Sequence, residues 1–138
     1  MQYFQRIAAG FGAAFLFGGA LGFVPGVVEG DMYLGIFMVN RPHSLLHLAS
    51  GALFLLSALA GEGAARLWLL LFGLFYGAIS AIGFAIGDGM IFGLIMNNWN
   101  DSFGHAVLSG FMVLAAAIPA SLVSRFAAGF RASPHPSP

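Results

Sequence analysis

Two stretches decide the fold: Asp31–Gly51, DMYLGIFMVNRPHSLLHLASG, and Gly89–Ser109, GMIFGLIMNNWNDSFGHAVLS. They align without a gap at an offset of 58 residues. Met32 meets Met90, Gly35 meets Gly93 and Met38 meets Met96; Asn40 meets Asn98, Ser44 meets Ser102 and His47 meets His105. Chance in an apolar chain readily yields Gly and Met matches. It is less able to yield Asn, Ser and His in register. Upstream, Leu21–Phe23 (LGF) echoes Ile82–Phe84 (IGF), with a shift of a few residues. The pattern predicts an internal duplication.

The residues around these stretches predict what is duplicated. Between Arg6 and Glu29 lie 22 uncharged residues, Ile7–Val28, and between Arg41 and Glu62 lie 20, Pro42–Gly61. Between Arg66 and Asp88 lie 21, Leu67–Gly87, and between Asp101 and Arg125 lie 23, Ser102–Ser124. A helix needs about 20 apolar residues to cross the hydrocarbon core. Four membrane-spanning helices are therefore expected, at about 7–28, 42–61, 67–87 and 102–124. The apolar runs are continuous rather than alternating, which excludes barrel strands. The expected fold is all-α: an integral membrane four-helix bundle of two tandem helical hairpins, about 7–61 and 67–124. A pseudo-twofold axis along the membrane normal would relate them. Met32–Asn40 and Gly89–Asn100 are too short to span and read as interfacial turns or short surface helices. Pro25 and Gly26 read as ending the first helix, and Pro119 sits near the end of the fourth, where a local bend is tolerable. Glycines four apart, such as Gly18 and Gly22 or Gly73 and Gly77, read as tight helix packing.

Composition sets the class. The chain is 59% hydrophobic and 7% charged, against about 25% charged in an ordinary soluble domain. That excludes a soluble globular protein and a disordered one. Five Arg balance five acids at zero net charge, which argues against a nucleic-acid partner. The absence of Cys excludes disulfides, iron–sulfur clusters and thiol chemistry. Arg6, Arg66, Arg125 and Arg131 share one side with a single acid, Glu62, whereas Arg41 faces Glu29, Asp31, Asp88 and Asp101 on the other. The positive-inside rule then places both termini in the cytoplasm of a multi-pass cell-membrane protein. The first helix is read as retained, because its apolar run exceeds the core of a signal peptide. Residues 125–138 read as a Pro-rich cytoplasmic tail in which His135 has no assigned role.

Chemistry is confined to a few residues. His43 and His47 are four apart, as are Asp101 and His105, so each pair lies on one helix face about 6 Å apart along the axis. If both faces point toward the twofold axis, three imidazoles and one carboxylate converge near the extracytoplasmic helix ends. Such a donor set suits zinc, copper, nickel or iron. A haem b would need only His47 and His105 as axial ligands. A purely structural reading stands beside these. In it Asp101 is an N-cap, with Asn100 sharing the task; His43 meets interfacial water; His47 and His105 hydrogen-bond neighbouring helices. Trp68 and Trp99 read as interfacial anchors. The HSLLH segment lacks the Glu of zinc proteases, and there is no P-loop, dinucleotide fingerprint or Ser-His-Asp arrangement. An enzyme is not favoured. A proton-coupled pump is disfavoured too, since no acid or base sits at the bilayer midplane.

Val39–Leu48 (VNRPHSLLHL) followed by Gly51, together with Asn98–His105 containing Asp101, resemble the bacterial membrane proteins grouped as domain of unknown function 4383. The similarity covers roughly Phe4 to Ser124. Its most specific part is the pair N-x-x-H-x-x-x-H and N-x-x-D-x-x-x-H; family members commonly carry Asn where this chain has Ser44 and Ser102. The resemblance implies a four-helix bacterial cell-membrane protein and brings no activity with it. Three readings of function follow. The first is a non-enzymatic structural or accessory protein in the lipid bilayer, with a membrane-protein partner or a second copy. The second is a metal- or haem-binding protein using His43, His47, Asp101 and His105. The third is a small-solute carrier, which needs a midplane polar site or a cavity.

Overall fold

A computed structural model describes residues 1–119, 121, 122, 124 and 125. Among them four helices account for most of the chain: α1 (Tyr3–Leu21), α2 (Arg41–Ala60), α3 (Glu62–Ile86) and α4 (Trp99–Ala117). The first three are long and apolar enough to cross a membrane. In α4, the fourth expected span, Asn100, Asp101, Ser102 and His105 crowd the first two turns and lower its hydropathy. The expected tail, from residue 126 on, lies outside the described residues.

The helix limits differ from expectation for local reasons. The first helix ends at Leu21 rather than Val28, because Pro25 cannot sit in a helix interior. Helix α4 stops at Ala117, just before Pro119, and helical geometry returns at residues 121, 122, 124 and 125. Ile118, before the proline, is extended, with ψ 124°, as the residue preceding a proline prefers.

The all-α expectation is corrected at the connections. Strands β1 (Val28–Glu29), β2 (Met32–Tyr33) and β3 (Phe37–Met38) form one small antiparallel sheet, and β4 (Gly89–Ile91) and β5 (Ile95–Asn97) form another. The segments expected to be interfacial turns or short helices are thus β-hairpins. Each reverses through two successive left-handed residues, Leu34 (φ 52°) and Gly35 (φ 69°) in one, Phe92 (φ 54°) and Gly93 (φ 67°) in the other. Glycine takes the second of these positions without strain, and left-handed turn residues match the twist of the flanking strands. Met32 pairs with Met38 and Met90 with Met96, so the two hairpins share one register 58 residues apart.

The helices pack as α1 on α2 and α3 on α4, and contacts in one pair recur in the other. A Cβ on Gly12 would stand 2.8 Å from Leu55 Cδ2, and one on Gly73 would stand 2.8 Å from Val113 Cγ2. Gly22 abuts the Ser44 hydroxyl as Gly83 abuts the Ser102 hydroxyl. The counterparts lie 61 residues apart in the first helix of each pair and 58 apart in the second. Close approach explains Gly12, Gly22, Gly73 and Gly83; it does not explain Gly18, whose Cβ would meet nothing within 4 Å.

The end opposite the hairpins is tied by charge. The Glu62 carboxylate accepts the Phe4 N–H (3.0 Å) and the Gln5 N–H (3.2 Å), covering unpaired donors at the start of α1. Arg66 Nε donates to the Ala116 carbonyl (2.9 Å) in the last turn of α4. The start of α1, the α2–α3 junction and the end of α4 therefore meet. Phe4, Phe54, Leu69 and Met112 fill the core there.

Two glycines on one helix pair test this packing. A Cβ on Gly51 would lie 2.7 Å from the backbone nitrogen of Leu16, which cannot yield, whereas a Cβ on Gly10 would meet nothing. Gly51→Val is expected to destabilise by about 1–3 kcal/mol or more, and Gly10→Val to leave stability nearly unchanged. Unfolding in mixed micelles checks this; equal midpoints for the two variants would contradict the packing described.

Candidate functional site

The start of α2 is set by Asn40, whose side-chain oxygen accepts the His43 N–H (3.1 Å), with Pro42 in the first turn. The start of α4 is set by Asn98, whose oxygen accepts the Asp101 N–H (2.9 Å). Asp101 Oδ2 accepts the Asn98 N–H in return (2.9 Å), completing a capping box. The other end of each Asn amide crosses to the opposite half. Asn40 Nδ2 donates to Leu94 O (2.8 Å), and Asn98 Nδ2 donates to Ile36 O (2.9 Å). Donors and acceptors both correspond at 58 residues.

One turn further, the same exchange places the histidines. His43 Nδ1 lies 3.0 Å from Met96 O. A carbonyl only accepts, so Nδ1 carries the hydrogen and Nε2 of the neutral ring is left with its lone pair. The counterpart contact runs from the Met38 N–H to Asp101 Oδ2 (2.9 Å). With both helix starts held, the rings of His43, His47 and His105 face one another. Their centroids are 4.8 Å apart for His43–His47, 5.8 Å for His43–His105 and 6.3 Å for His47–His105. One nitrogen of each lies within 4.8 Å of the others.

Of the four residues singled out from sequence, the structure brings three together. Asp101 lines the same cavity but is not one of the three clustered donors. Its Oδ2 is shared between two backbone N–H groups. It is the third residue of α4, so the N-cap is Asn98; Asn100 instead donates to Ile36 O (3.0 Å). His47 Nε2 and His105 Nδ1 are buried with no hydrogen-bond partner among the described residues. The expected ties from these rings to neighbouring helices are absent at those atoms. A buried polar atom left unpaired costs about 1–3 kcal/mol.

Sequence reasoning missed the rings that enclose the cluster. Phe15 meets His47 edge-on (5.3 Å, 78°), and Tyr76 meets His105 edge-on (4.9 Å, 82°). Phe15 and Tyr76 also touch each other, 5.3 Å between centroids. They correspond at 61 residues, the offset of the LGF and IGF echo; carried down the helix, that offset would have found them. Beside the cluster is a cavity of about 510 Å³. Its walls are α1 and α4, its floor is the His43–His47 turn of α2, and Tyr33 and Phe37 line its hairpin end.

Three membrane-length apolar helices and a buried histidine cluster define a membrane-type helical protein whose polar centre is not spent on its own hydrogen bonds. Over residues 5–118 the chain matches Domain of unknown function (DUF4383), and it belongs to that family. No curated protein and no solved structure matches it.

Replacing a buried polar group by an apolar one of similar shape is nearly neutral when the group has no partner. His105→Leu, unfolded in detergent with chelator present, is therefore expected to match or exceed the stability of the unsubstituted chain. A loss above about 2 kcal/mol would mean that His105 makes a stabilising hydrogen bond.

Proposed function

We propose that the chain binds one transition-metal ion in a membrane through His43, His47 and His105. The observation that carries this reading is the convergence of three imidazoles, two of which hold buried nitrogens without partners. Metal-bound histidines commonly donate their second ring nitrogen to a backbone carbonyl, as His43 does to Met96. Zinc–nitrogen bonds of about 2.0 Å place tetrahedral ligands about 3.3 Å apart. The donor atoms, within 4.8 Å of one another, reach that spacing by small side-chain rotations. Three imidazoles without thiolate suit zinc or copper(II). Asp101, next to the centre, supplies nearby negative charge rather than a ligand.

A bare ion fits better than haem. A macrocycle held between His47 and His105 would need a clear plane across their midpoint, and the His43 ring stands beside it, 4.8 and 5.8 Å from the two. An ion held by these three imidazoles alone would keep a position open to another ligand, as reactive or exchanging sites do and closed structural ones do not.

The wider reading is a bacterial cell-membrane protein built from two tandem units about a pseudo-twofold axis, with both termini cytoplasmic. The counterpart contacts at 58 and 61 residues support the duplication. Arg6 and Arg66 at one end, and Glu29, Asp31, Asp88 and Asp101 at the other, support the orientation.

Elemental mass spectrometry on protein solubilised without chelator tests the centre. About one zinc or copper ion per chain is expected, falling below a tenth in His47→Ala and in His105→Ala. Retention of metal in both variants, or none after incubation with either ion, would leave a structural or accessory role as the reading to pursue.

A further inference from the structure

The two halves differ along one stripe of the cavity wall. Ile7, Gly10, Ala14 and Gly18 of α1 line it. Their counterparts 61 residues on, in α3, are Trp68, Leu71, Phe75 and Ile79. Helices α2 and α3 close against each other, whereas α1 and α4 barely touch. Glycines that serve close helix approach have a neighbour where their Cβ would be. Gly10 and Gly18 have nothing within 4 Å, so they leave room instead. The result is an apolar cleft between α1 and α4, with Gly104 and Leu108 on the far wall.

The floor of this cleft is polar. His43, His47 and His105 line it, and His43, its Nδ1 committed to Met96 O, keeps a lone pair on Nε2. Asp101 is there too, and among the described residues no Arg lines the cleft. Nothing complements an anionic head group. Imidazole lone pairs and a carboxylate are acceptors, and they call for a hydroxyl donor.

We infer that the α1–α4 cleft binds a neutral, hydroxyl-bearing amphiphile from the bilayer, a long-chain phenol or hydroquinone. Its hydroxyl sits on the histidine floor and its apolar body lies along Gly10, Ala14 and Gly18. The inference rests on the proposed centre for the site of the head group: with an ion held by the three imidazoles, the hydroxyl would sit beside it. Without the ion the hydroxyl donates to His43 Nε2 or the Asp101 carboxylate, which line the cleft, so the two readings fail separately.

A photoactivatable alkylphenol, with its diazirine on the chain, tests this on the full chain in phosphatidylcholine nanodiscs, with and without zinc. Saturable labelling of α1 and α4 peptides is expected, competed by unlabelled alkylphenol and at least tenfold less by its methyl ether. Ala14→Phe installs the bulk that α3 carries at Phe75. It is expected to cut labelling at least tenfold while zinc content and unfolding midpoint stay unchanged. Gly10→Leu, one turn further along α1, gives a second fill if Ala14→Phe misfolds. Undiminished labelling in a folded filled variant, or equal competition by the methyl ether, overturns the inference. Specific labelling in protein that binds no zinc supports it and removes the metal reading alone.

Discussion

Two side-chain amides set the geometry on which the rest of the molecule depends. Asn40 and Asn98 each cap their own helix with oxygen and reach the opposite half with nitrogen, onto Leu94 O and Ile36 O. Each contact has its counterpart 58 residues away. Asn98 is buried, where an amide left unpaired is costly, so its helix start is held in position and in rotation; the corresponding contact of Asn40 is exposed. His43 and Asp101 then fall at the third helical position of α2 and α4, and His47 and His105 at the seventh. The histidines converge because the caps fix the phase of the helices that carry them.

The proposed site arises where this shared frame is decorated differently. At the third position one half has His and the other Asp. The imidazole of His43 donates to a hairpin carbonyl; the carboxylate of Asp101 accepts from a hairpin N–H. One half thereby contributes a third imidazole, and the other a second lock on the frame. The same difference appears along α1 and α3, where Gly10, Ala14 and Gly18 stand against Leu71, Phe75 and Ile79. Helices α2 and α3 touch, whereas α1 and α4 barely do, and a cavity lies between that second pair beside the histidines.

Much of this was legible in the sequence, for particular reasons. The gapless match at 58 residues carried Asn40, Asn98, His47 and His105 together, because polar identities in an apolar chain mark positions that cannot drift. The apolar runs marked the helices but overran their ends: Pro25 and Gly26 signalled the first stop, yet α1 gives out a turn earlier, at Leu21. The hairpins were hidden because Met32–Val39 and Met90–Met96 are apolar throughout. Their turn signal is only one Gly in each, Gly35 and Gly93. Asp101 was read as a ligand because residue type and spacing suit one; which acceptors its oxygens meet depends on the neighbouring hairpin. Phe15 and Tyr76 were missed because they differ in identity and their offset differs by three from the obvious one. The cleft was missed because glycines that fill and glycines that leave space look alike in sequence.

X-ray absorption at the zinc edge, on protein loaded with one equivalent of zinc, tests the proposed centre most directly. Three imidazole scatterers at about 2.0–2.1 Å and one further light atom are expected, with one imidazole lost in His43→Ala. A shell of oxygen scatterers alone, or a spectrum unchanged by His43→Ala, would contradict it.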